Sequence, residues 1–292
     1  MKKVVYLIVI AAFALVACEP NNGIENKVSI GVSLDDSSQS SKGQQRISAI
    51  DNETKILINW EEGDVLYYAA DESEIDNEKY FTLISGEGSP TAIFECNNFA
   101  YEGEMFNLYY HGLADPLDTQ GKGVKDPDFG NPIPLNQECT LDENDKTVIN
   151  NDYLVYKGIN CKIGSGIKLE PDFCIIGIQL QGEGQFSQRV AVGTAFNGED
   201  NVTSYLCKMN NAVDLANNPI YYFVLPANYS LENKKIGLAS SRGHNTSASL
   251  PLPSKTLEPG TATIFPITVI RNDNVAEGNI NQYTIKKVET KQ

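Results

Sequence analysis

Residues 55–70 read KILINWEEGDVLYYAA. Two apolar runs, KILINW (Lys55–Trp60) and VLYYAA (Val65–Ala70), flank the polar tetrad EEGD. Both runs are too short for a stable helix and are rich in branched or aromatic side chains, while Gly-Asp is turn chemistry. The stretch therefore predicts two strands around a tight turn. Trp60, Gly63 and Asp64 are its structural turn residues, with Trp60 at the strand end packing over the edge of a core. Trp60 is the only tryptophan. A second use for it would be a stacking platform for a sugar, with Tyr67 or Tyr68 beside it.

The same grammar runs outward in both directions. Upstream, KVSIGVSL puts Val28, Ile30 and Val32 on one face with Leu34 after them, which is a strand pattern. DDSSQSSKGQQR follows without an apolar residue and reads as an exposed loop. Downstream come the acidic DESEIDNE, the run YFTLISG, a GSP turn, TAIFEC, and MFNLYYHG (Met105–Gly112). Residues 113–138 are mostly Asp, Gly, Pro and Asn and read as a long surface excursion. NDYLVYKG (Asn151–Gly158) ends the first series. A second series opens near Ile167, and its FCIIGIQLQG has the continuous apolar run of a core strand. RVAVGTAF, SYLCKM, YYFVLP, KIGLASS, ATIFPITVIR and INQYTIKKV complete it. Helical periodicity nowhere exceeds about two turns. The expectation is an all-β chain of two tandem β-sandwich domains, 27–160 and 161–292.

The N-terminus, MKKVVYLIVIAAFALVACEPNNG, has an apolar run from Val4 to Ala17 that falls short of the roughly 20 residues of a membrane span. Lysines before it and small residues after it make residues 1–17 an export signal. Leu15-Val16-Ala17-Cys18 resembles a bacterial lipobox, which implies removal of the signal and lipidation of Cys18 as the first mature residue. Residues 18–26 then form a polar tether, and acyl chains alone anchor the protein.

Composition narrows the function. Lys and Arg number 23 against 38 acidic residues, a formal charge of -15. An acidic chain of this kind argues against a nucleic-acid partner, whose phosphates it would repel. Of six cysteines, lipidation of Cys18 leaves five, an odd number. Their wide spacing without CxxC and the presence of only His111 and His244 make a zinc cluster improbable. They read as small buried hydrophobes, with room for one or two disulfides of unassigned pairing.

Catalytic signals are equally thin. His111 sits at a strand end beside a glycine and reads as a surface histidine. His244 lies near Ser240, Ser241 and Arg242 in a polar loop without a GxSxG elbow. Gly121-Lys122-Gly123 lacks phosphate-loop spacing. Glu61 with Glu62, or Asp71 with Glu72, would form a glycosidase pair only across a cleft. The acidic runs 71–76 and 141–146 lack calcium-loop spacing and read as solvated. No catalytic residue, cofactor site or metal site is assigned, and the chain is not expected to be an enzyme.

The lipobox, the early strand, Trp60-Glu61-Glu62-Gly63-Asp64, the run Thr91–Phe94, FNLYYHG and the closing Leu257-Glu258-Pro259-Gly260-Thr261 before ATIFPITV together resemble fimbrillin-like surface lipoproteins of Bacteroides-type bacteria, of the FimA and Mfa kinds. His111–Pro116 departs from the family, where many members have Tyr-Pro. The resemblance implies two transthyretin-like β-sandwiches, a structural or adhesive role in a fimbria at the outer membrane and cell surface, and no cofactor. Implied partners are other fimbrial subunits or further copies of the chain, with host proteins or glycans as a further class. It also implies cleavage after an arginine in the loop following the first strand. Arg46, with Ile47 after it, is the first arginine here. The vacated groove would accept a strand from another subunit. Ile280, Tyr283, Ile285 and Val288 mark a possible donor near the C-terminus. The competing function is a glycan-binding surface lipoprotein that does not polymerise.

Overall fold

Alternation governs the first strand. In β1 (Val28–Leu34), Ile30, Val32 and Leu34 are buried and the residues between them are not. The computed structural model describes residues 27–34, 49–51, 55–76, 78–111, 133, 135–142, 147–149, 153–186, 189–194, 204–209, 211–239, 246–270, 275–277 and 283–290. Next along the chain come β2 (Ala49–Asp51), β3 (Lys55–Ile58), β4 (Val65–Ala69), β5 (Tyr80–Ser85), β6 (Thr91–Cys96) and β7 (Phe106–His111). β8 (Asn136–Leu141), β9 (Thr147–Ile149), β10 (Val155–Cys161) and β11 (Ile167–Pro171) follow.

Seven of these strands close into a barrel in the order β1-β11-β10-β7-β4-β5-β6. Closure leaves no free edge for a foreign strand to pair with. Aromatic rings fill the interior: Tyr68, Phe81 and Phe106 interlock at centroid distances of 5.5–6.3 Å, with Phe99 packed among them.

The rest of the chain is also strand: β12 (Phe173–Gln181), β13 (Gln185–Phe186), β14 (Arg189–Gly193), β15 (Ser204–Met209), β16 (Val213–Asp214) and β17 (Ile220–Pro226). Then come β18 (Lys235–Ala239), β19 (Thr246–Pro251), β20 (Thr261–Ile270), β21 (Val275–Glu277) and β22 (Thr284–Thr290). A continuous mixed sheet runs β17-β12-β20-β22-β3-β2-β9-β8-β15-β14-β18-β19, with β21 added to β20, and β13 pairs with β16 separately. The all-β expectation holds. The pairing crosses the chain midpoint in both directions. β11 follows residue 160 and lies in the barrel. β2, β3, β8 and β9 precede it and lie in the large sheet, where β3 pairs in parallel with β22 and β8 with β15.

β12 shows why its sequence is apolar throughout. It pairs with β17 on one side and β20 on the other, and both its faces are covered. At Gly177 a Cβ would meet Ile220 and Ile264 at 3.0 Å and Tyr222 at 3.1 Å, so the close packing of the three strands uses the missing side chain. Pro266 interrupts β20 without breaking it. β22 pairs with Thr261–Ile264 and β21 with Thr268–Ile270, so the proline, which has no N–H to give, falls between its two partners.

Candidate functional site

β1 is the stave that closes the barrel. It runs antiparallel to β6, from Val28 opposite Cys96 to Ser33 opposite Thr91, and parallel to β11, with Val32 opposite Ile167 and Leu34 opposite Leu169. The Leu34 N–H donates to the Pro90 carbonyl at 3.1 Å, and the Ser33 hydroxyl to the Ile167 carbonyl at 3.3 Å. Outside the barrel, Lys27 Nζ lies 2.8 Å from Glu95 Oε1. Ile30, Val32 and Leu34 are 2–5% exposed. At about 1.5–3 kcal/mol for each fully buried aliphatic side chain, the three hold the strand with roughly 5–9 kcal/mol of apolar burial. Cys18, Arg46 and Ile47 lie outside the described residues, before β1 and between β1 and β2.

The Trp60 corner seals the same barrel. Gly63 has φ +93°, the left-handed conformation the turn requires. Asp64 folds back on that turn: its Oδ2 accepts the Glu61 N–H at 2.7 Å, and its Oδ1 accepts the Tyr110 hydroxyl at 2.9 Å. Tyr110 in turn meets Trp60 edge-on at 5.3 Å, and Phe94 meets it from another side at 4.9 Å. Burial pushes the Asp64 carboxyl up to about 6, against the two hydrogen bonds that favour its charge. Burial also raises the Tyr110 phenol, and the neighbouring carboxylate adds to the effect.

This geometry removes the sugar-platform reading of the corner. Trp60 is 1% exposed, and Tyr67 and Tyr68 are buried with it, so none of the three rings offers a face to stack on. His111 is a correction too: it is buried at the end of β7 rather than on the surface. His244, Ser240, Ser241 and Arg242 lie outside the described residues. The acidic run 71–76 is folded rather than loose. Asp71 Oδ1 accepts from the Ser73 N–H at 2.9 Å and caps a 3-10 turn, Glu72–Glu74. Glu72 is 2.8 Å from Lys157 Nζ, which also contacts Asp172 at 2.6 Å. Among the described residues there is no group of three or more His, Cys, Asp or Glu side chains placed to hold a metal ion.

At the C-terminus, Ile280 lies outside the described residues. Tyr283 packs its ring 5.4 Å from Phe265, and Lys255 Nζ sits 4.4 Å over it. Ile285 is 48% exposed. Ile285 pairs with Thr263 of β20, and Val288 with Ile56 of β3, so β22 is bonded along both sides within this chain.

Sequence reading missed one arrangement altogether. Among the described strands β17 pairs with β12 only, and side chains from β8 and β9 close its other side. The Gln137 amide takes the place of a strand at Val224, accepting its N–H at 2.9 Å and donating to its carbonyl at 2.7 Å. Thr147 Oγ1 accepts the Ile220 N–H at 3.2 Å, and the Cys139 thiol donates to the Tyr222 carbonyl at 3.3 Å. A glutamine that is 2% exposed within NQECTL was the one available signal, and it becomes a signal only once burial is known.

No family model matches the chain, and no curated protein matches it. Solved structures do. A Bacteroides uniformis protein assigned to cell adhesion aligns with 92% of this chain and 99% of its own, at 9% identity and a TM-score of 0.42. A Bacteroides ovatus protein with the same assignment aligns over the same shares at 10% identity and a TM-score of 0.42. The tip fimbrial protein of Porphyromonas gingivalis, with a C-terminal truncation, aligns with 89% of this chain and 99% of its own at 11% identity and a TM-score of 0.36.

Proposed function

We propose that the chain is a structural or adhesive subunit of a cell-surface fimbria, joined to its neighbours by exchange of the first strand. One observation carries this reading. The first described strand is the closing stave of the barrel, and the connection that leaves it contains Arg46. A cut after Arg46 would leave β1 held by hydrogen bonds and the burial of three aliphatic side chains, with no covalent tie to the barrel. Its departure would open β6 and β11 as two facing edges over an apolar slot, a template for an added strand.

In this reading, Cys18 anchors the newly exported chain to the outer membrane, and cleavage frees it from the anchor as it enters the filament. The incoming strand comes from the C-terminal segment of another copy or another subunit, around Ile280–Val288, once that segment has left its pairings with β20 and β3 of its own chain. It must alternate apolar residues in the way β1 does. The two sheet systems are taken as a pair of transthyretin-like sandwiches, with strands crossing between them on both sides of residue 160. The competing reading, a glycan-binding lipoprotein that does not polymerise, loses its candidate platform with the burial of Trp60, Tyr67 and Tyr68.

N-terminal sequencing of the assembled surface form tests cleavage. A chain beginning at Ile47 is expected, and an assembled chain that begins at lipidated Cys18 and is intact through Arg46 would reject it. Truncation after residue 279 tests the donor. Filaments of normal length from the truncated chain would reject that role.

A further inference from the structure

All five described cysteines are buried thiols in this structure. Two of them meet. Cys139 on β8 and Cys207 on β15 are 2% and 0% exposed, and their sulfurs are 3.2 Å apart. That is closer than two sulfurs sit in ordinary packing contact. The strands are parallel neighbours in which Cys207 stands opposite Gln137 and Met209 opposite Cys139. The thiols therefore approach along a diagonal of the ladder, and a bond of about 2.05 Å needs a small slide of β8 along β15. Cys174 is committed elsewhere, donating to the Pro226 carbonyl at 3.1 Å.

We propose that Cys139 and Cys207 form a structural disulfide in the exported protein. The assignment rests on the export reading of residues 1–17, because disulfides persist outside the reducing cytosol. The oxidant is a protein disulfide of the thiol-oxidising class. One cysteine thiolate attacks it to give a mixed disulfide, and the second displaces the oxidant's other sulfur. Two protons and two electrons pass to the oxidant, which leaves as a dithiol. The reaction belongs to the period before β8 and β15 pack, when both thiols are accessible. Afterwards the burial of both residues shields the bond from attack.

The position gives the bond a consequence. It fastens β8 two residues from Gln137, whose amide occupies the open side of β17 at Val224. Cys139 gives up its contact with the Tyr222 carbonyl in exchange. A locked β8 keeps foreign strands off β17. In a chain that assembles by strand exchange, that removes the β17 edge as a competitor of the β1 slot.

The test is site-resolved alkylation of the full-length protein from its native envelope. It is denatured without reductant, labelled with iodoacetamide, then reduced, labelled with a heavy form and digested. The expected result is heavy label at Cys139 and Cys207, light label at Cys96, Cys161 and Cys174, and a 139–207 linked peptide in the unreduced digest. In Cys139→Ser, Cys207 should change to light label, and in Cys207→Ser, Cys139 should do the same. Light label at both residues in the wild type overturns the proposal, as does a linked peptide joining either residue to another cysteine. The N-terminal peptide from the same digest shows which premise failed. A chain lacking residues 1–17 with both thiols free refutes the disulfide alone, and one retaining them refutes the export reading as well.

Discussion

Asp64→Asn should change the pH dependence of stability in a defined direction. The Asp64 carboxyl titrates near 3.8 when unfolded and at about 6 in the folded barrel, because burial outweighs the hydrogen bonds from Glu61 and Tyr110. A carboxyl raised on folding favours the native state only while it is protonated. Its contribution is full below pH 4 and is lost as pH rises through 6. At about 1.4 kcal/mol per pH unit, the displacement is worth about 3 kcal/mol. The other acidic residues also titrate, so the variant is the control that isolates this one. Asparagine keeps one acceptor for Tyr110 or the Glu61 N–H and has no charge to bury. Urea unfolding of both proteins at pH 4.5 and pH 7.5 measures the effect. Relative to Asp64→Asn, the wild type should lose about 2 kcal/mol between the two pH values, the first part of the effect being already lost by pH 4.5. An unchanged difference, or a wild type that gains on the variant as pH rises, would refute the assignment of a desolvated carboxyl to this corner.

Gln137→Leu leaves the Val224 N–H and carbonyl buried without their partner, and chemical unfolding should show a loss of about 1–3 kcal/mol for each group. Trp60→Ala opens a cavity between Phe94 and Tyr110 and should cost about 3–5 kcal/mol by the same assay, while Trp60→Phe should recover part of it. Cys18→Ser should release the protein from the membrane fraction or stall its processing. Metabolic labelling with palmitate checks this, and an unlabelled wild type that stays membrane-bound would contradict it.

What the sequence displayed was the local part of the design. Alternation in Val28–Leu34 and the unbroken apolar run of Phe173–Gln181 each announced how many faces the strand buries, because side chains report burial at a fixed period. The Trp60–Asp64 turn was legible for a similar reason, since Gly63 is the residue that its backbone conformation favours. β2 and β9 are three residues long and too short to carry a period. β8 escaped because its inward residues, Gln137 and Cys139, are not aliphatic, and a polar residue in a strand reads as solvent-facing until its partner is known. That partner, Val224, is 87 residues away. The parallel pairings of β3 with β22 and β8 with β15 are hidden for the same reason, as are the buried state of His111 and the meeting of Cys139 with Cys207. Each depends on which distant strand arrives alongside.

The most direct test of strand exchange is to cut the purified full-length protein with an arginine-specific protease and follow β1 under native conditions. Tritium or isotope label placed in residues 27–34 reports whether the strand leaves when a synthetic peptide of residues 280–292 is added in excess. The account predicts cleavage after Arg46, retention of the labelled strand in buffer alone, and its release on addition of the peptide, with the peptide bound in its place. A labelled strand that stays with the barrel at saturating peptide, in a chain shown to be fully cut at Arg46, would contradict it.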